Sequence, residues 1–482
     1  MQLSGKALTH AGAAAESRSD KRASQIARRI EADIIRRGWP AGMSLGSEQA
    51  LQERYQVSRS VLREAVRLVE HHQVARMRRG PNGGLLICEP DAAPATHAII
   101  IYLEYLGITI GDLLDARLLL EPLAASRAAQ QIDEAGIERL RSVLLAEQGR
   151  QPSNDEFHTA LAEQSKNPVL QLFIDILMRI TVRYAEGSRL DSASDAVEAL
   201  EHRHRDHAAI VAAVTAGDAA RAMTLSEQHA ESVTNWLQDH HQPGSPRRRS
   251  ANREAPQGKL AEVLAAAIRD DIASSGWQVG EVFGSEVALL ERYQVSRAVL
   301  REAVRLLEYH AVATTRRGPG GGLVVAEPQA QASIDTIALY LQYRRPRRED
   351  LTLIRDAIEI DNVAKVVARH DAPEVRAFLD GQRLTIEQAG DGPGKAGVEE
   401  FLFHAGLATL AGNAVLELFL RILVEVFRRY WASTDQPVPS HSDLVDVRHA
   451  HLRIIEAIGQ GDDALARHRV RRHLDAAASW WL

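Results

Sequence analysis

Two sets of residues in this chain of 482 residues have the types and spacing to do chemistry. The first is a pair of arginines one helical turn apart, Arg59 and Arg63, in the segment VSRSVLREAV, followed by Arg78, Arg79 and Gly80 in RRGPNGGL. Arginine is the best bidentate donor to guanine, Ser60 can bond a phosphate or a base, and a glycine lets backbone approach closely. The second set is histidines: His158, His207 and His229 in the first half, His404, His451 and His473 in the second. In both halves the last pair is 22 residues apart within sequence that has otherwise diverged. Neutral imidazole suits a divalent transition metal of the zinc, nickel or manganese class. Three histidines and one oxygen ligand leave positions open for a small molecule.

These groups recur because the chain is a tandem duplication. SEQALQERYQVSRSVLREAVRLVEHH, from Ser47, returns as SEVALLERYQVSRAVLREAVRLLEYHA from Ser285, an offset of 238. RRGPNGGLLICEP returns as RRGPGGGLVVAEP at the same offset, so Arg297, Arg301, Arg317 and Gly318 are the second set of candidate contacts. Ser60 has become Ala298. So long a period signals duplication and fusion rather than a solenoid.

The elements that must position these groups follow from pattern. Ser47 and Ser58 are placed as N-caps, and helices are expected over Ser24–Arg37, Ser47–Tyr55 and Ser58–His72. Val61, Leu62, Ala65, Val66, Leu68 and Val69 form a core-facing stripe, and the arginines fall toward the other side. A Gly-rich hairpin with a strand at Leu85–Ile87 comes next. Amphipathic helices are expected at Ile110–Ala129, Asp133–Glu147, Asn154–Glu163, Pro168–Glu186, Ala193–Ala216 and Asp218–Leu237, and again from Asp350 to Leu482. The fold class is mainly α: two winged helix-turn-helix domains, each with a small β wing and each followed by an all-α bundle. The division is a disordered tail (1–20), a first winged helix (21–90), a first bundle (91–239), a Pro-, Ser- and Arg-rich linker (240–258), a second winged helix (259–328) and a second bundle (329–482).

Composition narrows the class. Hydrophobic residues make up 45% and charged residues 25%, which excludes wholesale disorder. One cysteine excludes a disulfide framework. The most apolar window, Ile99 to Ile110, contains Glu104 and is too short to span a bilayer, so the expectation is a cytoplasmic protein with no membrane partner. The net charge of −6 hides a basic head on an acidic body: thirteen basic against seven acidic residues over 21–90, then twelve against twenty-three over 91–240. That distribution fits local phosphate binding. The second head is nearly neutral, with eight basic and nine acidic residues over 259–328.

VSRSVLREAV with SEQAL upstream and RRGPNGGL downstream resembles the winged helix-turn-helix of GntR-type bacterial transcription regulators, and the bundles resemble the FCD effector domain of the FadR subfamily. The resemblance implies a double-stranded DNA operator as partner, a nucleoid-associated repressor, and DNA contacts at Arg59, Ser60, Arg63, Arg79, Gly80, Arg297, Arg301, Arg317 and Gly318. The arginine that the family often carries in the first motif helix is replaced by Gln49 and Val287. The resemblance also implies an Asp-x3-His, His, His metal set in each bundle core. Here the first ligand is Asn154 in copy one, with Asp155 beside it, and Glu400 in copy two. It further suggests that Arg117 and Arg355 could receive a small carboxylate effector. Each precedes a glutamate by four residues (Glu121, Glu359), and the competing reading is an ion pair on a helix surface. His202, His204 and His449 are expected on exposed surface.

One chain then supplies two reading heads as an intramolecular pseudo-dimer, with further homodimerisation left open. Two other readings stand beside this one: a metal-dependent enzyme built on the histidines, and a DNA-binding protein with vestigial effector sites. Against the enzyme stand the two winged helices and the lack of a nucleophile motif, HExxH or P-loop.

Overall fold

Serine hydroxyls open the paired helices at the expected places. In the computed structural model, which describes residues 18–78, 80, 83–147, 156–185, 193–240, 257–318, 320–388, 393–433 and 441–481, the chain begins with α1 (Arg18–Arg36). Ser47 and Ser58 lie in extended backbone and accept from the amides of Ala50 and Val61, starting α2 (Glu48–Tyr55) and α3 (Arg59–His71). A cap of this kind satisfies an amide that the first turn leaves without a helical acceptor. The wing is β1 (Ala75–Arg78) antiparallel to β2 (Gly84–Ile87), with Ala75 opposite Ile87, and Ser44 adds one bridge to Leu86. Glycine is required at Gly84: its φ is 128° and a Cβ would lie 2.5 Å from the Gly46 carbonyl oxygen.

Next come α4 (Ala92–Leu106), α5 (Ile110–Gln131), α6 (Glu134–Glu147), α7 (Glu156–Gln164), α8 (Pro168–Ala185), α9 (Ala193–Thr215) and α10 (Ala219–His240). The second copy repeats the order: α11 (Gln257–Ser274), β3 (Val282–Gly284), α12 (Glu286–Tyr293), α13 (Arg297–Tyr309), β4 (Ala313–Arg316), β5 (Gly322–Val325), α14 (Ala330–Arg344), α15 (Arg348–Val367), α16 (Pro373–Gln388), α17 (Pro393–Ala411), α18 (Ala414–Ser433), α19 (His441–Gly459) and α20 (Asp463–Trp481). Its wing is a three-stranded sheet in the order β3-β5-β4, one strand more than the hairpin the sequence suggests. The fold is mainly α, as expected. Helices α4 and α14 are additions to the sequence reading, which saw only an apolar window at Ile99 to Ile110 and placed no element over α14. Ile99, Ile100, Ile101 and Leu103 are all buried, and this nearly unbroken apolar run hides the helical period of α4.

The chain divides into two compact units, residues 1–93 with 335–345 and 425–435, and residues 94–334 with 346–424 and 436–482. In the first, Ile30, Ile34, Leu51, Leu62, Val66, Val69 and Leu85 form the head's core, and Leu339 of α14 completes it. In the second, Leu264, Ile268, Leu289, Leu300 and Leu323 form the other head's core, completed by Ile101 of α4. Helix α4, which the sequence division assigns to the first bundle, therefore seats the second head.

The same unit holds both bundles. One core gathers Leu140, Phe157, Leu161, Ile210 and Val214, the other Val363, Phe403, Leu407, Ile454 and Val470. Between them Phe173 and Phe419 stack at 4.0 Å. Two asparagines clasp the bundles. Asn167 accepts from the amides of Val169 and Leu170 at the start of α8 and donates its side-chain N–H to the Asp350 carbonyl at 2.9 Å. Asn413 does the same for Val415 and Leu416 of α18 and donates to the Asp112 carbonyl at 2.9 Å.

Candidate nucleic-acid interfaces and histidine clusters

In each head the arginines stand on the exposed face of the third helix, as the stripe of Val61, Leu62, Ala65, Val66 and Val69 toward the core requires. Arg59 and Arg63 side chains are 63% and 59% exposed, and both reach Glu48 at the start of α2: Arg59 Nε donates at 3.1 Å and Arg63 Nε at 2.8 Å, both to Oε1. Hydrogen bonds from Arg59 and then Arg63 hold the Glu48 carboxyl below its ordinary range. In the second head the same fork is looser, with Glu286 at 4.0 Å from Arg297 and 3.8 Å from Arg301. Ser60 Oγ lies 3.1 Å from the capping Ser58 Oγ. Gly80 and Gly318 turn at φ 103° and 100°. Arg317 is exposed, while Arg79 lies outside the described residues. Val287 is 68% exposed on α12.

The histidines do converge. In the first bundle His158 on α7, His207 on α9 and His229 on α10 are buried, and one ring nitrogen from each falls within 4.8 Å of the others. Each ring is steered by a carboxylate on Nδ1: Glu121 on His158 at 2.9 Å, Glu147 on His207 at 2.8 Å, and Asp206 on His229 at 3.1 Å. That turns the Nε2 atoms inward, and those of His207 and His229 are 3.2 Å apart. Phe157 stacks on His207 at 3.7 Å and fixes its plane. Burial lowers the affinity of His229 for a proton, which favours the neutral ring that ligation needs.

The second cluster adds a carboxylate to the three rings. His404 Nε2 is 3.1 Å and His451 Nε2 3.3 Å from His473 Nε2, and Glu400 reaches His473 at 3.0 Å and His451 at 2.8 Å. Glu359 pairs with His404 Nδ1 as Glu121 does with His158. Burial disfavours charge on His404, but the Glu359 and Glu400 carboxylates override it and lift the ring to about 10. Burial takes His451 down to about 4. Burial also opposes charge on Glu400, yet His473, His451 and His404 hold its carboxyl well below its usual value. Converging Nε2 atoms, with carboxylates behind all three rings of the first cluster and behind His404 of the second, where Glu400 adds an oxygen donor, are a donor set that fits a divalent transition metal.

Asn154 lies outside the described residues. The surface ion pair that competed for Arg117 and Arg355 is corrected by burial: both arginines and both glutamates are buried. Arg117 Nε donates to Glu121 at 2.5 Å, so this arginine backs the carboxylate that orients His158. Arg355 sits 3.1 Å from Asp356 and 3.9 Å from Glu359. His202 and His449 are exposed and His204 is half-buried beside Glu147. Sequence reasoning missed Glu48, Glu147 and Asp206. For Asp206 its place next to His207 was the available signal.

Among known protein families, the FCD domain matches residues 112–232 and 350–476, and the bacterial regulatory proteins of the gntR family match residues 22–81 and 260–323. The HTH-type transcriptional regulator LutR of Bacillus subtilis is 32% identical over 209 residues, covering 41% of this chain and 92% of LutR. The Uxu operon regulator of Haemophilus influenzae is 26% identical over 219 residues, 43% of this chain and 79% of that protein. The Uxu operon transcriptional regulator of Escherichia coli is 29% identical over 232 residues, 44% of this chain and 82% of that protein.

Proposed function

The chain belongs to the GntR family of bacterial regulatory proteins and carries the FCD domain twice, and from that premise we propose a metabolite-responsive repressor that reads two operator half-sites from a single chain. It is a DNA-binding transcription regulator rather than an enzyme. The observation that carries the finer reading is the duplicated reading face: two serine-capped helices, each presenting two exposed arginines one turn apart. Helices of this kind enter the major groove N-terminus first, and two heads suit a pseudo-palindrome. Arg59, Ser60 and Arg63, and in copy two Arg297 and Arg301, contact bases or phosphates. Arg79, Gly80, Arg317 and Gly318 contact the backbone or minor groove.

The half-sites are unequal. Ser60 corresponds to Ala298 in the duplication, and exposed Val287 suits a thymine methyl where Gln49 suits a hydrogen bond. His158, His207 and His229, completed by Asn154, and Glu400, His404, His451 and His473 would hold a divalent metal of the zinc, nickel or manganese class. When bound, that metal supplies open coordination positions for a small carboxylate. Arg117 and Arg355 keep the orienting glutamates charged and in place. A ligand regulates only by its differential affinity for DNA-bound and free arrangements, which is the task of the bundles. In this reading the chain works through four sequence domains, 21–90, 91–239, 259–328 and 329–482, in the cytoplasm.

The test is operator selection from random duplexes followed by anisotropy titrations at several salt concentrations. The expected result is one pseudo-palindromic site per chain with a steep salt dependence. Two identical half-sites equally sensitive to Arg59→Ala and Arg297→Ala would refute the unequal reading.

A further inference from the structure

The two heads carry opposite charges at one matched buried position. Glu31 in α1 is 2% exposed, and its counterpart 238 residues later is Arg269 in α11, 5% exposed. Around them the duplication keeps its contacts. Tyr55 and Tyr293 each donate to an aspartate at 2.6 Å, and Trp39 and Trp277 donate their indole N–H to the Cys88 and Ala326 carbonyls. The reversal is therefore local.

Each charge is met by helices of the other copy. Arg429 of α18 donates to Glu31 at 3.2 Å and pairs with Asp335 of α14 at 3.1 Å, and His72 closes the other Glu31 oxygen at 2.6 Å. Arg269 lies 3.5 Å from Glu104 and 3.1 Å from His97 Nε2, both on α4. His97 and Asp335 are themselves counterparts, as are Glu104 and Gln342, so the seats changed in step with the heads. The apolar part of the seat has not changed in kind. Ile101 matches Leu339, and Tyr105 matches Tyr343, with ring centroids 5.7 Å from Trp277 and 5.5 Å from Trp39 respectively.

We propose that the Glu31/Arg269 reversal is a pairing key, by which each head accepts the seat helix of the other copy, α14 for the first head and α4 for the second, and rejects that of its own. The apolar contacts cannot make this choice, because both seats offer the same ones. The charges can: the first head on α4 would bury Glu31 beside Glu104 and away from Arg429, and the second on α14 would set Arg269 against Arg429 in competition for Asp335 and Glu425. Like charges buried side by side are disfavoured, and repulsion of the wrong partner is how closely similar interfaces stay distinct. The same key penalises like-with-like pairing between separate chains, first copy with first or second with second.

The experiment uses the intact chain and reads amide hydrogen exchange of α11. Arg269→Glu is expected to speed exchange about tenfold or more, because the seated helix is loosened. Adding Glu104→Arg, on copy one, restores protection, and the rescue survives a large dilution because the seat is in the same chain. Adding Gln342→Arg, on copy two, does not restore it. Arg269→Met, which removes the charge without reversing it, falls between wild type and Arg269→Glu. Rescue by Gln342→Arg, rescue that fades on dilution, exchange unaffected by Arg269→Glu, or an Arg269→Met variant as loose as Arg269→Glu would each overturn the proposal.

Discussion

Asn413 offers the clearest quantitative test of how the two bundles hold together. Its side chain is 3% exposed and does two jobs: the oxygen caps α18 through the amides of Val415 and Leu416, and the N–H donates across to the Asp112 carbonyl at 2.9 Å. Asn413→Ala removes both. Losing an N-cap costs about 1 kcal/mol, and losing one neutral hydrogen bond adds about 1 kcal/mol. Asp112 lies in the first turn of α5, so its carbonyl also has the helix interior to bond with, and no large penalty for a stranded acceptor is added. The expected total is about 2 kcal/mol. Asn413→Ser keeps a capping oxygen but cannot reach Asp112, so about half of that loss should return. Urea unfolding followed by far-ultraviolet circular dichroism measures both, and Asn167 supplies a second, symmetric copy of the experiment. If Asn413→Ser unfolds at the same urea concentration as wild type, the clasp contributes nothing. If Asn413→Ala also does, the cap contributes nothing either.

Four further outcomes follow from the same geometry. Arg59→Ala and Arg297→Ala should each cost about 1–3 kcal/mol of operator binding, at different half-sites; anisotropy with half-site-substituted duplexes checks this. Glu48→Gln frees Arg59 and Arg63 from an exposed ion pair, so affinity for non-specific DNA should rise at low salt, an effect absent if the pair is not formed in solution. Elemental analysis of unchelated protein should find about two transition-metal ions per chain, with one lost in His158→Ala and the other in His404→Ala; absence of metal would end the metal reading without touching DNA binding. Gly84→Ala forces a Cβ to 2.5 Å from the Gly46 carbonyl oxygen at φ 128° and should destabilise the first head by about 1–3 kcal/mol, seen as a lowered melting transition.

The reading heads were legible in the sequence because a serine cap, an apolar stripe and turn glycines are all local signals, written twice. The histidine clusters were legible for a different reason: spacing of 22 residues survived between His207 and His229 and between His451 and His473 while the surroundings drifted. What sequence could not supply was burial. Arg117 and Glu121 announce an i, i+4 pair, but only packing decides that it lies in the core behind His158. Glu147 is far from His207 in the chain, and nothing local connects them. The seat helices were the largest omission. Ile99, Ile100, Ile101 and Leu103 are buried and show no clear period, so the residues that look least informative carry the contact between copies.

The cross-copy seat also has a consequence in time. During synthesis the first head is complete by about residue 93, whereas its seat on α14 begins at residue 335. At 5–20 residues per second the ribosome needs roughly 12–50 s to deliver the missing helix. Leu339 and Tyr343 are still unmade during that interval, and the face of the first head that they cover stays wet. The second head emerges to find α4 already waiting. Two nearly identical modules therefore mature on different schedules, and the nascent first head is the one that needs protection.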